Sequence, residues 1–261
     1  GDDQPDPELI DLSTHSAESQ HRLWQYCVHG GIENAIGFLN FAATLIGYDA
    51  EWHEPRPLVR AGIHWPGITN ASFAQVKAKW TDGHPVAALV FYRALVQSGN
   101  LKAVDMMIEG LAKVGVNTIP IFVTSLKDPV AAAVIETILS QASPNIILNA
   151  TGFAFSSPGR VRSPSPFDKI SDSSASPPVL QVIFSGGNLR DWSENSNGLS
   201  ARDIAMNVAL PEVDGRVLTR AVSFKGLARR DPLTEFDIVR YEPVHDRIAF
   251  VAKLTNAWAK L

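Results

Sequence analysis

The chain has 261 residues, 45% of them apolar and 19% charged, an ordinary globular mix that excludes a disordered or fibrous protein. Lys plus Arg total 23 against 27 Asp plus Glu, a formal charge of −4, so no broad polyanion-binding field is expected and nucleic acid is not an expected partner. A single cysteine, Cys27, cannot close an intrachain disulfide, which points to a reducing cytoplasm, and no uncharged apolar run approaches the roughly 18 residues of a membrane span.

The first residues, Gly-Asp-Asp-Gln-Pro-Asp-Pro at 1–7, are acidic, contain proline and lack a starting Met. With six acids and no Lys or Arg in the first twenty positions, they read as a linker cut from a longer protein and not as a signal peptide. Over residues 17–46, apolar side chains from Leu23, Tyr26 and Cys27 to Ala35, Phe38, Leu39, Ala42, Leu45 and Ile46 recur every three or four positions. That spacing predicts one buried helical face, broken into two helices at Gly30-Gly31. Short apolar runs then alternate with helical patterns. Strands are predicted over 58–63, 86–91, 119–123, 146–149 and 179–184, and helices over 71–80, 101–115 and 129–141, the last opened by Asp128-Pro129 as N-cap and first turn. Strands apolar on both faces and separated by helices predict an α/β fold: a mainly parallel, Rossmann-like sheet with helices on both faces, preceded by an N-terminal helical segment.

Residues 156–178 break this rhythm with eight Ser and five Pro, leaving too little apolar surface to offset ordering, and a protease-sensitive surface loop is predicted there. After it come a helical stretch around 203–210, an extended run at 219–224 and an amphipathic helix over 247–261. The expected organisation is therefore an acidic linker (1–16), a helical segment with a Rossmann-like unit (17–155), the loop (156–178) and a second α/β part (179–261).

Familiar nucleotide and hydrolase signatures are absent: there is no G-x-G-x-x-G after a strand, no Walker-type G-x-x-x-x-G-K-[ST], no H-E-x-x-H and no G-x-S-x-G. The seven histidines form no zinc-ligand pattern. His64 in His-Trp-Pro-Gly suits either a capping or core role or a cleft, and Ser185-Gly186-Gly187 suits either a tight turn or an anion-binding set of N–H groups. Arg93 and the stretch Gln97-Ser98-Gly99-Asn100 fall after a strand, where open parallel sheets bind ligands, and Asn149-Ala-Thr-Gly-Phe153 ends a later strand. Together they offer a guanidinium, neutral hydrogen-bonding groups and an aromatic face to a large flat anion; the bland alternative pairs Arg93 with a local acid and uses Asn149 to cap the loop. In Met206-Asn-Val-Ala-Leu-Pro-Glu-Val-Asp-Gly215, Pro211 ends an apolar helix and Glu212 follows at once. A carboxylate delivered into apolar surroundings suits acid-base chemistry, while Glu212 and Asp214 equally suit turn formation.

Four stretches, Val-Phe-Tyr-Arg-Ala-Leu-Val-Gln-Ser-Gly at 90–99, Ser-Leu-Lys-Asp at 125–128, Asn-Ala-Thr-Gly-Phe at 149–153 and Ala-Leu-Pro-Glu-Val-Asp-Gly-Arg at 209–216, resemble the large subunit of aerobic cobaltochelatases (CobN type), which belongs with the large porphyrin-binding subunit of magnesium chelatase. The resemblance runs over nearly the whole chain, and members of that family are several times longer. It implies insertion of Co²⁺, a substrate metal, into hydrogenobyrinic acid a,c-diamide on the aerobic route to vitamin B12. ATP is then hydrolysed by separate AAA-type partner subunits, in keeping with the missing Walker motif, and the rest of the large subunit is a further partner. An isolated piece is expected to be inactive.

The resemblance also places an essential glutamate at Glu212. From their positions and chemistry, substrate-binding roles are expected at Arg93, Gly99, Asn149, Thr151, Gly152 and Lys225, with Arg93 and Lys225 anchoring peripheral carboxylates. Metallation itself requires the macrocycle to lose N–H protons while a hydrated divalent ion sheds water, and one carboxylate can accept a proton and hand over an oxygen-ligated ion. Its grip on the ion must be weak for onward transfer, so a strong metal motif is not required. Two rival readings are the magnesium branch with a porphyrin and a non-catalytic α/β ligand-binding or subunit-docking module.

Overall fold

A computed structural model describes residues 7–156, 164–168, 176–194, 196, 198–230 and 237–261. In chain order the elements are α1 (Pro7–Asp11), α2 (Ala17–His29), α3 (Ile32–Leu45), β1 (Ala61–Trp65), β2 (Ile68–Ala71), α4 (Phe73–Lys77), β3 (Val86–Tyr92), α5 (Arg93–Gln97), α6 (Lys102–Lys113), β4 (Asn117–Val123), α7 (Pro129–Ala142) and β5 (Ile146–Asn149). There follow β6 (Val179–Asn188), α8 (Leu189–Glu194), α9 (Ala201–Ile204), a π-helical turn (Ala205–Ala209), α10 (Leu210–Val213), β7 (Val217–Arg230), β8 (Asp237–Pro243) and α11 (His245–Trp258). The described residues form two compact units, one from within 7–59 with 94–99 and the other from within 60–93 with 100–261.

In the helical unit Ser16 caps α2 by accepting the Ser19 N–H, and Gly30 ends it at φ 62, so the predicted break at Gly30-Gly31 is present. The buried face of α3 differs from the predicted one. Asn34, Gly37 and Phe41 are buried, whereas Leu39 and Ile46 are 66% and 71% exposed. The reason is local. Gly37 lets α3 lie against the Tyr26 ring, and Asn34 donates to the carbonyls of Gly30 and Arg56 while accepting the Arg56 N–H, each at 2.8 Å. Arg22 stacks over Phe41 and Trp52 at 5.1 and 5.0 Å while donating to Glu54 at 2.8 Å.

The second unit is built on an eight-stranded sheet in the order β2-β1-β4-β3-β5-β6-β7-β8. The five central strands, β4 to β7, are parallel, and the pairings of β1 and β8 with them are antiparallel. Successive side chains of a strand face opposite sides. Accordingly Ala88 and Val90 join Ile119, Ile121 and Ile147 in one core with Ala131, Ile135 and Leu139 of α7, while Ala87, Leu89 and Phe91 point to the other face. That other face is covered by α6: His64 of β1 meets Phe91 edge-on at 6.1 Å and Asp105 of α6 at 2.7 Å. Helix α11 packs on α6 so closely that a Cβ at Gly110 would sit 2.7 Å from Ile248. Each fully buried Leu, Ile or Phe contributes about 1.5–3 kcal/mol, so the two-sided burial of β3, β4 and β5 fixes this layering.

Strand β1 starts three residues later than predicted because its register on β4, Ala61 opposite Val123, sets its limits. Asp128 caps α7 by accepting the N–H groups of Val130 and Ala131, with Pro129 in the first turn. Within the predicted surface loop, residues 157–163 and 169–175 lie outside the described residues, and Phe167 is buried in the α7-side core at 3% exposure. The segment is therefore anchored at that point and not a bare loop throughout. Strands β5 and β6 pair in parallel on either side of it.

Candidate functional site

Strand β3 sits between β4, which follows it in sequence, and β5, which comes next after β4. The chain thus leaves β3 to one side and returns on the other, and the loops leaving β3 and β5 diverge. Such a switch point opens a crevice beyond the carboxyl ends of the strands. The crevice holds a cavity of about 240 Å³, lined by Tyr92 from β3, Ser125 to Lys127 after β4, Thr151 to Phe155 after β5, and Arg216 just before β7.

A buried polar network fixes the wall that follows β5. Asn149 donates to the Thr151 carbonyl at 3.2 Å and to Gln181 Oε1 at 3.1 Å, and its own Oδ1 accepts the Thr151 hydroxyl at 2.9 Å. Gln181 donates to the same Thr151 carbonyl at 3.0 Å. Further on, the Asp214 carboxylate accepts from Phe155 N at 2.6 Å, Ser156 N at 2.8 Å and Arg216 Nη2 at 2.8 Å, with the Asp214 and Arg216 side chains 5% and 4% exposed. A buried ion pair tolerates the loss of water only with its remaining hydrogen-bonding positions satisfied, and here the loop backbone satisfies them.

Between these clamps, Phe153 is held at φ 65, a conformation that L side chains avoid, and the residue is 51% exposed at the cavity. Its N–H donates to the carbonyl of Met206, in the π-helical turn, at 3.0 Å. Gly152 suits this approach, since a Cβ there would lie a tight 3.1 Å from Met206 O and 3.2 Å from Asn207 Oδ1. The Tyr92 hydroxyl donates to the Gly152 carbonyl at 3.1 Å. Burial holds the pKa of the Tyr92 hydroxyl above the usual phenol range, opposed by the Arg216 charge.

The predicted site residues separate into groups. Thr151 and Gly152 line the cavity; Asn149 is fully buried and holds the loop from within, the capping alternative rather than a ligand contact. Arg93 is half-buried at the end of β3, and burial, then the neighbouring Arg60, lowers its proton affinity. Gly99 belongs to the helical unit, where at φ 64 it makes the turn after α5. Lys225, on β7 opposite Tyr241 of β8, is exposed with its ammonium 5.9 Å from the Tyr241 ring. Glu212 is exposed and outside the cavity lining, which corrects the expectation of apolar surroundings: in the single turn of α10 it is Pro211 that faces inward. The sheltered carboxylate is Asp214, and it is committed to the loop. The Ser185-Gly186 turn also takes an anion, the molecule's own Asp203, which accepts the Ser185 hydroxyl at 2.7 Å and the Gly186 N–H at 3.1 Å, and β6 continues through it to Asn188. His64 is buried against Asp105, the core alternative.

Single-residue reasoning missed Tyr92, Ser125, Lys127 and Arg216 as cavity residues. Their signal was present, because each lies in one of the four stretches that carry the resemblance, and all four stretches contribute to the one cavity.

The second unit is an open, mostly parallel α/β sheet with a walled crevice at its switch point, the place where sheets of this kind in general bind their ligands. The chain belongs to the CobN/Magnesium Chelatase family, whose model matches residues 24–261. It is 45% identical to the aerobic cobaltochelatase subunit CobN of a Sinorhizobium species and 42% identical to that of Pseudomonas aeruginosa, in each case over 100% of this chain and 21% and 20% of the relative. The chloroplastic magnesium-chelatase subunit ChlH of rice is 25% identical over 91% of this chain and 18% of its own. The catalytic subunit of cobaltochelatase from Mycobacterium tuberculosis shares the fold, with a TM-score of 0.77 over 100% of this chain and 21% of that one at 23% identity. The chain thus spans about a fifth of the length of the relatives it matches.

Proposed function

We propose that these residues form the macrocycle-holding part of a cobaltochelatase large subunit, which binds hydrogenobyrinic acid a,c-diamide while Co²⁺ is inserted during aerobic cobalamin synthesis. ATP is hydrolysed on separate AAA-type subunits, and the complex works in the cytoplasm, where Cys27 stays a thiol. The observation that carries the reading is the convergence of four separated sequence stretches on one cavity at the switch point. Identities of 45% and 42% to cobalt enzymes, against 25% to a magnesium enzyme, favour cobalt.

In this reading the ring of the half-exposed Phe153 offers an apolar face to the flat macrocycle, presented by Gly152 and held by the Asn149-Thr151 network. Arg93 and Lys225 supply positive charge for peripheral carboxylates along the same edge of the sheet. Glu212 accepts a pyrrolic proton and passes on a weakly held, oxygen-ligated Co²⁺. No described residue shelters this carboxylate, so its shelter comes from the bound macrocycle and the rest of the large subunit. The test is a titration of the full-length subunit with the metal-free macrocycle, followed by tryptophan fluorescence, alongside Glu212→Gln in the insertion assay. Binding near normal with insertion abolished is expected; turnover retained by Glu212→Gln removes Glu212 from the mechanism, and a macrocycle that does not bind removes the reading.

A further inference from the structure

We infer that the switch-point cavity receives one carboxylate arm of the macrocycle, paired with Lys127, while the ring system itself stays outside on Phe153. This rests on the macrocycle-holding function proposed above and adds where the ligand is gripped.

Size decides the first half. Pockets that enclose a drug-sized ligand occupy about 300–1,000 Å³. At about 240 Å³ the cavity is too small to enclose a four-ring disc. A carboxyethyl arm of about five heavy atoms fills on the order of 150 Å³ at about 30 Å³ per water-sized group, and fits.

Charge decides the second half. The described lining carries two cations, Lys127 and Arg216, and no Asp or Glu. Arg216 is tied to Asp214, Gln181 and the Thr151 carbonyl. Of the lining hydroxyls, that of Tyr92 donates to Gly152 O and that of Thr151 to Asn149, while Ser125 Oγ accepts the Lys127 N–H. Lys127 differs. Its backbone N–H donates to Ser125 Oγ at 3.1 Å, which fixes the loop, while among the described residues its ammonium has no acceptor. With Arg216 neutralised by Asp214, the remaining cation of the lining is the exposed Lys127, and a lining with an uncommitted ammonium and no acid suits an anionic group; a carboxylate arm is the anion that a corrin precursor presents. Phe153, half-exposed at the same cavity, is placed to meet the ring from which the arm descends.

The experiment is a two-by-two titration of the full-length subunit. The ligands are the metal-free corrin precursor with free carboxylates and a fully amidated form, whose arms keep their shape without charge. The proteins are wild type, Lys127→Gln, Lys127→Arg and Phe153→Leu. Lys127→Gln is expected to weaken the free acid about tenfold and leave the amide unchanged, with Lys127→Arg restoring most of the loss. Phe153→Leu is expected to weaken both ligands by about threefold to tenfold. Equal binding of the free acid by wild type and Lys127→Gln, or equal weakening of acid and amide, overturns the arm-in-cavity arrangement and leaves the macrocycle-holding function standing. Failure of wild type to bind either ligand overturns both.

Discussion

The Asp214–Arg216 pair makes the sharpest test of how the cavity wall is built. Asn at 214 has nearly the shape of Asp, yet it removes the charge facing a guanidinium whose side chain is 4% exposed. Its amide NH₂ also turns a donor toward a site where Phe155 N, Ser156 N and Arg216 Nη2 all donate. Leaving one charge of a buried pair uncompensated costs about 3–5 kcal/mol. At about 2–4 °C per kcal/mol for a chain of this size, Asp214→Asn should lower the melting midpoint by about 6–20 °C. The Phe155 and Ser156 amides should also exchange hydrogen faster. Because the cost lies in the stranded partner, Asp214→Ala with Arg216→Met should recover more than half of what Asp214→Ala alone loses. Urea unfolding followed by circular dichroism gives each corner of this cycle. An Asp214→Asn protein within about 1 kcal/mol of wild type, or a strictly additive cycle, would refute the reasoning.

Three further expectations follow from single contacts. The hydrogen bond from Arg22, with its charge, holds the Glu54 carboxyl below its ordinary value of 4.5. A group depressed in the folded state stabilises above its unfolded value and loses that contribution as pH falls, so stability should drop below about pH 4.5 and Glu54→Gln should flatten the slope; parallel acid curves for the two proteins would contradict this. At Phe153 the φ of 65 reverses the usual ranking of small residues, and Phe153→Gly should be about 1 kcal/mol more stable than Phe153→Ala in urea titrations, with the opposite order excluding backbone strain there. A Cβ at Gly37 would sit 2.6 Å from the buried Tyr26 ring, so Gly37→Ala should lose about 1–2 kcal/mol despite better helix propensity, and an unchanged or raised midpoint would show that the rings give way freely.

What could be read before any coordinates depended on whether the determining interactions were local. Strands β3, β4 and β5 are apolar on both faces because helices cover both, and that continuous pattern is visible in Val-Ala-Ala-Leu-Val-Phe-Tyr as soon as it is written down. The α7 start was equally legible, since Asp128 and Pro129 act within one turn. Strands β2 and β8 lay beyond reach: Ile-Thr-Asn-Ala and Asp-Ile-Val-Arg-Tyr-Glu-Pro carry weak apolar patterns and are strands because β1 and β7 hydrogen-bond them.

The site followed the same division. Chain order and composition alone determined an α/β unit with a parallel core, and motif content determined its family, because helix periods, two-sided strands and short motifs are properties of neighbouring residues. Tertiary structure alone decided that Phe153 and not Gly152 takes the left-handed backbone, that Asp214 closes on Phe155 and Ser156 while Glu212 meets solvent, and that Lys127 faces a hollow shared with Tyr92 and Arg216. Each of these depends on groups far apart in the chain. A carboxylate's surroundings, and hence its chemistry, are set by whichever N–H groups and charges the fold brings within about 3 Å of it.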